Sequence, residues 1–174
     1  MLIETPPSSA VKKEVFLNPG DFYFGGAETR ISTLLGSCVS IAVWHPRLRI
    51  GGMCHYMLPA RSAPSLTAKF DGRYADGALA LFLRALTKAG TMPKDYVVKI
   101  MGGARMFSHL HGEGYRDIGT VNIQDGKELL GKHGFSICCE HLAGSGHRKV
   151  VFDLENGEVS LRQDSRNPAL FPKS

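Results

Sequence analysis

The sequence predicts an α+β fold: a layered α/β sandwich with mixed or antiparallel strands and two main helices. Short β-favouring runs follow one another, instead of alternating strictly with helices as they do in a doubly wound sheet. Two longer segments carry helical periodicity, and turn-forming dipeptides separate most of the runs. Together these three observations favour sheets built from neighbouring strands, with the helices packed as a separate layer.

The first half of the chain is predicted to be mainly β-structure. Asn18-Pro19-Gly20-Asp21 is a strong turn signal, and His45-Pro46-Arg47-Leu48 places proline where its fixed φ suits a turn. The predicted strands cover residues 14–17, 22–24 and 30–35, and a hairpin follows over residues 39–58. The polar segment 60–72 is predicted to be a loop, long enough to be functional or mobile.

The second half carries both predicted helices. Leu79, Phe82, Leu83 and Leu86 recur at helical spacing within residues 73–89, and Gly90 ends that helix. A second helix is predicted over residues 118–133, weakened by an internal Gly126 and closed by Gly134. The remaining strands are predicted over residues 96–101, 135–140, 149–154 and 158–162, the last two forming a hairpin across Asn156-Gly157.

A length of 174 residues fits one domain with its own core. We predict a disordered leader over residues 1–13, because prolines and serines stand where a secretory signal would be apolar. Residues 14–162 are predicted to form the single domain, and residues 163–174 a loose C-terminal tail. A chain without a signal peptide is expected in the cytoplasm, where its four cysteines would be reduced.

The composition also narrows the classes of partner. The net charge of +5 comes from scattered lysines and arginines, with no basic helical stripe and no aromatic-basic RNA motif. We therefore expect no nucleic-acid partner, and no membrane insertion because no sufficiently long apolar run occurs. Diffuse positive charge suits an encounter with an acidic protein surface.

Cys38 and His55 form the most informative pair in the chain. A cysteine becomes a good nucleophile near neutral pH when a base or a cation draws it towards the thiolate. If the hairpin turn centres on Pro46 and Arg47, His45 pairs with Leu48 and Cys38 lies directly opposite His55. Opposed residues share a face with Cβ atoms roughly 5 Å apart, so the hairpin alone builds a Cys/His couple. A slip of one residue would separate the two side chains.

Other interpretations of these residues remain open. An isolated cysteine is commonly a small buried hydrophobe, and an isolated histidine a satisfied polar group. Zinc is a competitor because several cysteines and histidines could converge, yet no pair has metal-site spacing. We therefore expect no metal and no other cofactor. Strand alternation sends Cys138 and Cys139 to opposite faces and predicts that they are packing residues.

A third member would orient the histidine. Ser32 and Thr33 lie on the strand that leads to Cys38, and a hydroxyl from either one would fix the tautomer of His55. An ordinary strand hydroxyl is the alternative for both residues. If Cys38 attacks a carbonyl carbon, backbone N–H groups near Gly36, Ser37 and Cys38 would hold the oxyanion that forms.

These residues resemble the CheD chemoreceptor glutamine deamidases of bacterial chemotaxis. The resemblance covers roughly residues 14–162 in consistent order, and a series of motifs is more specific than any one of them. The motifs are Thr33-Leu34-Leu35-Gly36-Ser37-Cys38-Val39-Ser40, Gly51-Gly52-Met53-Cys54-His55-Tyr56-Met57-Leu58-Pro59, Arg73-Tyr74-Ala75-Asp76, Gly102-Gly103-Ala104-Arg105-Met106, Ile118-Gly119 and Arg148-Lys149-Val150.

The resemblance implies a fold similar to the catalytic domains of bacterial toxin deamidases. It implies that Cys38 is the nucleophile, that His55 is the base, and that the residue six positions before the cysteine orients the histidine. That position is a threonine in the family and Ser32 here, so the orienting role passes to Ser32, with Thr33 as the alternative. A further departure is Cys54, which stands where asparagine is expected.

The implied activity is that of a protein-glutamine glutaminase, an amidohydrolase that converts receptor glutamines to glutamates through a Cys/His thioester. The implied substrates are methyl-accepting chemotaxis receptors, and a CheC-type phosphatase is a further candidate partner. A non-catalytic binding module that docks on either protein is the alternative. A Cys-dependent protease or acyltransferase would use the same couple but would not release ammonia.

Overall fold

The computed structural model describes residues 11–63, 65–106 and 116–164. This part of the chain contains two α-helices and nine strands, and the strands form two mixed sheets. This confirms the predicted α+β sandwich. The strands are β1 (Lys13–Leu17), β2 (Phe22–Gly26), β3 (Thr29–Leu35), β4 (Val39–His45), β5 (Ile50–Cys54), β6 (Val97–Gly102), β7 (Ile137–Leu142), β8 (His147–Asp153) and β9 (Val159–Asp164); the helices are α1 (Ala75–Ala89) and α2 (Ile118–Lys132).

Three layers stack on one another. The four-stranded sheet has the order β1-β3-β8-β9, and the five-stranded sheet has the order β2-β5-β4-β6-β7. One apolar cluster lies between the five-stranded sheet and the two helices, and a second lies between the two sheets. The five-stranded sheet is therefore the middle layer, covered on both faces.

The central strand β4 shows why its sequence is almost wholly apolar. Val39, Ile41 and Val43 alternate into the helix-facing cluster, while Ala42 enters the inter-sheet cluster. A strand covered on both faces has no need of polar alternation. The register of this strand decides which thiol faces which layer.

Both hairpin turns have four-residue loops, and this corrects the predicted register of the first. His45 pairs with Ile50 and not with Leu48, and the N–H of Arg49 donates to the carbonyl of His45 at 2.8 Å. Arg49 adopts a positive φ of 49° at the end of this loop. Cys38 therefore does not lie directly opposite His55, and the predicted pairing was wrong by two residues.

The second hairpin has the same form. The N–H of Gly157 donates to the carbonyl of Asp153 at 2.9 Å, and Gly157 has a positive φ of 74°. Phe152 pairs with Val159, so Asn156-Gly157 marks the turn but ends a four-residue loop in place of the two-residue turn that the dipeptide suggests.

The helices begin and end close to the predicted residues. Gly90 adopts the left-handed conformation after α1 and donates its N–H to the carbonyls of Leu86 and Thr87. Asp117 caps α2 by accepting the N–H of Thr120 at 3.0 Å. Gly126, which weakened the prediction of α2, is explained by packing, because a Cβ there would lie 2.1 Å from the hydroxyl of Tyr56.

The folded segment extends slightly beyond the predicted domain bounds. β1 begins at Lys13, and β9 ends at Asp164. Most of the predicted leader and tail, residues 1–10 and 165–174, lie outside the described residues. Neither helix in the described ranges has both the length and the apolar composition needed to span a bilayer.

Candidate active site

A hydrogen bond across the two sheets joins Thr33 to His55. The Thr33 hydroxyl oxygen lies 2.7 Å from His55 Nδ1 and donates its own proton to the carbonyl of Leu17, also at 2.7 Å. A hydroxyl has one proton, and the Leu17 carbonyl can only accept. The Thr33 oxygen must therefore accept from Nδ1–H, which fixes that tautomer of His55 and leaves the lone pair on Nε2 free.

Ser32, to which the resemblance assigned the orienting role, does not supply the hydrogen bond to His55. Along β3 the buried positions alternate, so that Thr33 points inward between the sheets while the half-buried Ser32 lies on the other face. The hydroxyl that reaches His55 belongs to Thr33, the alternative considered from the sequence. The position six residues before the cysteine did not identify this hydroxyl, because the side chains of neighbouring strand residues point in opposite directions.

His55 is held by the turn that precedes β2. Its N–H donates to the carbonyl of Asp21 at 3.1 Å, and its carbonyl accepts from the N–H of Gly20 at 2.7 Å. The Asn18-Pro19-Gly20-Asp21 turn, predicted only as a chain reversal, thus anchors the backbone of the candidate base on both sides.

The imidazole of His55 is poised in its neutral form. The side chain is only 2% exposed, and burial lowers its pKa, against smaller raising contributions from the Leu17 carbonyl and the Asp21 carboxylate. Nε2 is buried and has no hydrogen-bond partner among the described residues. A neutral imidazole with a free Nε2 lone pair is a general base.

Cys38 lies next to His55 without a hydrogen bond to it. Val39 bridges Tyr56, so Cys38 and His55 are diagonal neighbours on the inter-sheet side of this pair of segments. The half-buried Cys38 packs against the inter-sheet cluster, and burial raises the pKa of its thiol. Both pKa shifts favour the neutral forms of the two side chains.

The three residues that end at Cys38 are fixed through their carbonyls. Gly36 accepts from the N–H of Ala104 at 3.0 Å, and Cys38 accepts from the N–H of Gly103 at 2.8 Å. Gly102 has a positive φ of 114°, and a Cβ there would lie 2.2 Å from the Cys38 carbonyl oxygen. The predicted tight turn at Gly102-Gly103 thus allows β6 to approach this segment closely.

Asn122 is a residue that the sequence analysis missed. It is fully buried on α2, and its Nδ2 donates to the carbonyl of Ser37 at 3.3 Å and to that of Met57 at 3.1 Å. The Asn122 side chain therefore ties the segment that carries Cys38 to the segment that carries His55. A signal was present: Gly119, Asn122, Gly126 and Leu130 form the buried stripe of α2, where an amide needs partners.

The other candidate ligands of a metal ion do not converge. Within residues 11–63, 65–106 and 116–164, no three side chains from His, Cys, Asp and Glu form a group that could hold a metal. Cys54 is fully buried on the helix-facing side. Cys138 and Cys139 are both exposed, with their sulfurs 3.0 Å apart, so their predicted placement as packing residues on opposite faces was wrong.

Comparison with known proteins finds relatives over most of the chain. Residues 57–163 match the model of a family described as CheD, chemotactic sensory transduction. The chain is 52% identical over 148 residues to "Probable chemoreceptor glutamine deamidase CheD 3" of Dechloromonas aromatica (strain RCB), covering 85% of this chain and 86% of that protein.

Two further relatives carry similar names. A "Probable chemoreceptor glutamine deamidase CheD 1" of Chromobacterium violaceum is 39% identical over 91% of this chain and 82% of its own length. A "Probable chemoreceptor glutamine deamidase CheD" of Pseudomonas savastanoi pv. phaseolicola is 42% identical over 86% of this chain and 84% of its own length. The chain therefore belongs to the CheD family.

Proposed function

We propose that this chain is a protein-glutamine deamidase that acts on chemoreceptors in bacterial chemotaxis, with Cys38 as nucleophile and His55 as base. The observation that carries the proposal is the hydrogen bond from His55 Nδ1–H to Thr33, which leaves Nε2 without a partner among the described residues, on a residue that is a diagonal neighbour of Cys38 in the strand register. The names of the relatives supply the substrate, a glutamine side chain on a chemoreceptor. Thr33 takes the orienting role.

The first half of the reaction forms a thioester. Because burial raises the pKa of Cys38 and lowers that of His55, proton transfer accompanies attack, and no resting ion pair precedes it. Nε2 takes the thiol proton as Sγ bonds to the amide carbon of the glutamine. The tetrahedral intermediate then collapses as the imidazolium gives its proton to the leaving nitrogen, releasing ammonia.

The second half regenerates the thiol. His55 takes a proton from the attacking water and returns it to sulfur as the thioester bond breaks, leaving a glutamate. Backbone N–H groups of the Gly36–Cys38 segment are the proposed oxyanion donors. Two observations support this role: the carbonyls of all three residues are tied to protein partners, which holds the segment in place, and no hydrogen bond among the described residues uses the N–H of Ser37.

Peptide mass spectrometry of a purified receptor cytoplasmic fragment tests the activity directly. Replacing an amide NH₂ by OH raises the mass of each modified glutamine peptide, and ammonia appears in equal amount. Cys38→Ala should give no conversion, whereas Cys54→Ala, a matched change at a buried thiol, should convert the same peptides. Equal spectra from wild type and Cys38→Ala would refute the proposed chemistry.

The proposed compartment follows from the substrate. We propose that the enzyme acts in the cytoplasm, where it would meet the cytoplasmic part of a chemoreceptor. Fractionation of cells that express the tagged chain checks this, with the expected signal in the cytoplasmic fraction.

A second candidate function, docking on an acidic protein, is favoured by one surface. A groove of about 1000 Å³ lies between α1, α2 and the loop that follows β5. Its described lining holds one carboxylate, Asp76, which pairs with Arg61 at 2.8 Å. Its basic residues are Arg61, Lys69, Arg84, Lys88, Lys132 and His133.

A CheC-type phosphatase is the proposed occupant of this groove, since scattered positive charge and the apolar Leu83 and Leu129 suit an acidic amphipathic segment. Charge reversal at Arg84 and Lys132 should weaken binding of that partner and reduce its salt dependence. Binding that survives Cys38→Ala but not the charge reversals separates docking from catalysis. Unchanged affinity in the reversed variant would exclude this groove.

A further inference from the structure

The parallel ladder between β6 and β7 contains a bulge at Cys138. Val98 pairs with Ile137, but the next residue, Lys99, pairs with Cys139, so Cys138 is an extra residue with no partner across the ladder. A β-bulge of this kind breaks the regular alternation of side chains and re-aims them. In a regular strand Cys138 and Cys139 would point to opposite faces.

The bulge brings the two thiols together on the surface. Their sulfur atoms lie 3.0 Å apart, and both residues are exposed. β7 is the last strand of its sheet in the described topology, so small reagents reach the pair from solvent. Neither thiol belongs to the Cys38 and His55 site.

We propose that Cys138 and Cys139 form a redox-active vicinal dithiol, which oxidants of the peroxide class close into a disulfide within the strand. The proposal concerns a modification site separate from the deamidase chemistry, and it holds whether or not the proposed deamidation is correct. The two sulfurs are 3.0 Å apart, and a sulfenic acid condenses with a nearby thiol to give a disulfide. Because adjacent Cα atoms lie only about 3.8 Å apart, below the usual disulfide range, the ring that forms is strained and readily reduced.

The reaction balances in two steps. One thiol gives its proton to solvent and the thiolate attacks a peroxide oxygen; the O–O bond breaks, a sulfenic acid forms, and the leaving hydroxide or alkoxide takes a proton from solvent to become water or an alcohol. The second thiol then attacks the sulfenic sulfur, the S–O bond breaks, and water leaves as the S–S bond forms. Overall the protein loses two hydrogens and the peroxide is reduced.

Two neighbouring groups have opposite effects on the pKa of the Cys138 thiol. The hydrogen bond with Cys139 raises the pKa of the Cys138 thiol, against a smaller lowering effect from the Lys99 ammonium. In either order of attack the product is the same disulfide.

One proteolytic peptide contains only these two of the four cysteines. Cleavage after Lys132 and Arg148 releases peptide 133–148, which contains these two cysteines and neither Cys38 nor Cys54. Folded protein carrying Cys38→Ala is treated with hydrogen peroxide, quenched, denatured, alkylated and digested. We expect the peptide to lose two hydrogens and to take up no alkyl group, and both effects to reverse with a reductant.

Two single variants are the controls for a reaction that needs both thiols. Cys138→Ser and Cys139→Ser remove the partner but keep one exposed thiol, so the loss of two hydrogens should vanish in both. A trivalent arsenical, which bridges paired thiols, should bind the folded Cys38→Ala protein one to one and either serine variant far more weakly. Peroxide-treated peptide that carries two alkyl groups, or separately over-oxidised sulfurs, would overturn the proposal. So would an arsenical affinity that either serine variant retains.

Discussion

Cys38 and Cys54 lie at the two ends of one hairpin, yet they face different layers of the protein. Cys54 is fully buried against the helices, where burial raises the pKa of its thiol to about 12. Cys38 is half-buried on the inter-sheet side, where the imidazole of His55 also points. Cys54 adjoins His55 in sequence, but alternation along the chain puts their side chains on opposite faces. The face of the sheet, and not sequence proximity, decides which thiol shares a layer with the His55 imidazole.

Removing each thiol in turn should give the largest contrast. Cys38→Ala should lower kcat by about 10⁴-fold or more, because no other nucleophile replaces the sulfur. Cys54→Ala should lower kcat by less than about 2-fold while lowering stability by roughly 1–3 kcal/mol through a small cavity. Ammonia release and denaturant unfolding measure the two effects. An inactive, well-folded Cys54→Ala protein would reverse the assignment of the nucleophile.

The neighbouring hydroxyls of Ser32 and Thr33 test the same difference between the two faces, here on β3. Thr33→Val keeps the shape of the side chain but leaves His55 Nδ1–H without its acceptor, at a cost of about 1–3 kcal/mol, or roughly 5- to 150-fold in kcat. Thr33→Ser should recover most of the rate, and Ser32→Ala should change it by less than about 2-fold. Rate profiles against pH for the four proteins check this. A larger loss in Ser32→Ala than in Thr33→Val would restore the orienting role to Ser32.

Asn122 tests whether the two sides must be tied together. Asn122→Asp keeps the size of the side chain but removes the Nδ2 donors to the Ser37 and Met57 carbonyls. We expect kcat to fall by about 10-fold with KM nearly unchanged, because the residue positions both segments without touching substrate. Steady-state kinetics on a receptor fragment give this split. A change in KM alone would mean that Asn122 acts in substrate binding.

Glycines on α2 test the helix-facing side separately. Gly126→Ala would place a Cβ 2.1 Å from the Tyr56 hydroxyl and should lower the free energy of unfolding by about 1–3 kcal/mol. Gly131→Ala meets nothing within 4 Å and should raise that free energy by about 0.5–1 kcal/mol. Urea unfolding measures both. Equal effects at the two glycines would contradict the close packing of α2 on Tyr56.

The smallest predicted effect is a pH dependence of stability from His55. Its folded pKa is lowered from 6.5 by burial, so the unfolded state binds the proton first as pH falls. The contribution of His55 is therefore fully present above pH 6.5 and is lost as pH falls from 6.5 through the folded pKa. Replacing His55 with Gln removes this term, so the stability difference between the two proteins should narrow or reverse in acid. A pH-independent difference would contradict a neutral, buried His55.

Much of the fold was predictable because it rests on local patterns. The leucines of α1 and the glycine that follows it mark one helix, and turn signals such as Asn18-Pro19-Gly20-Asp21 separate the strands. Turn position was predicted better than turn geometry, since both hairpins use four-residue loops whose length depends on the pairing of whole strands. The bulge at Cys138 could likewise not be predicted from the sequence, because it arises from how β7 aligns with β6.

Local patterns along the chain were enough to predict the layered α+β architecture and, through a series of motifs, to identify Cys38 and His55 as candidates for chemistry. The tertiary structure decided which hydroxyl meets His55, because Thr33 belongs to one sheet and the segment after β5 to the other. It also decided that Asn122 of α2 joins the two segments of the site. Local sequence patterns encode the direction of a side chain relative to its own strand, but only the packing of layers sets what that side chain meets.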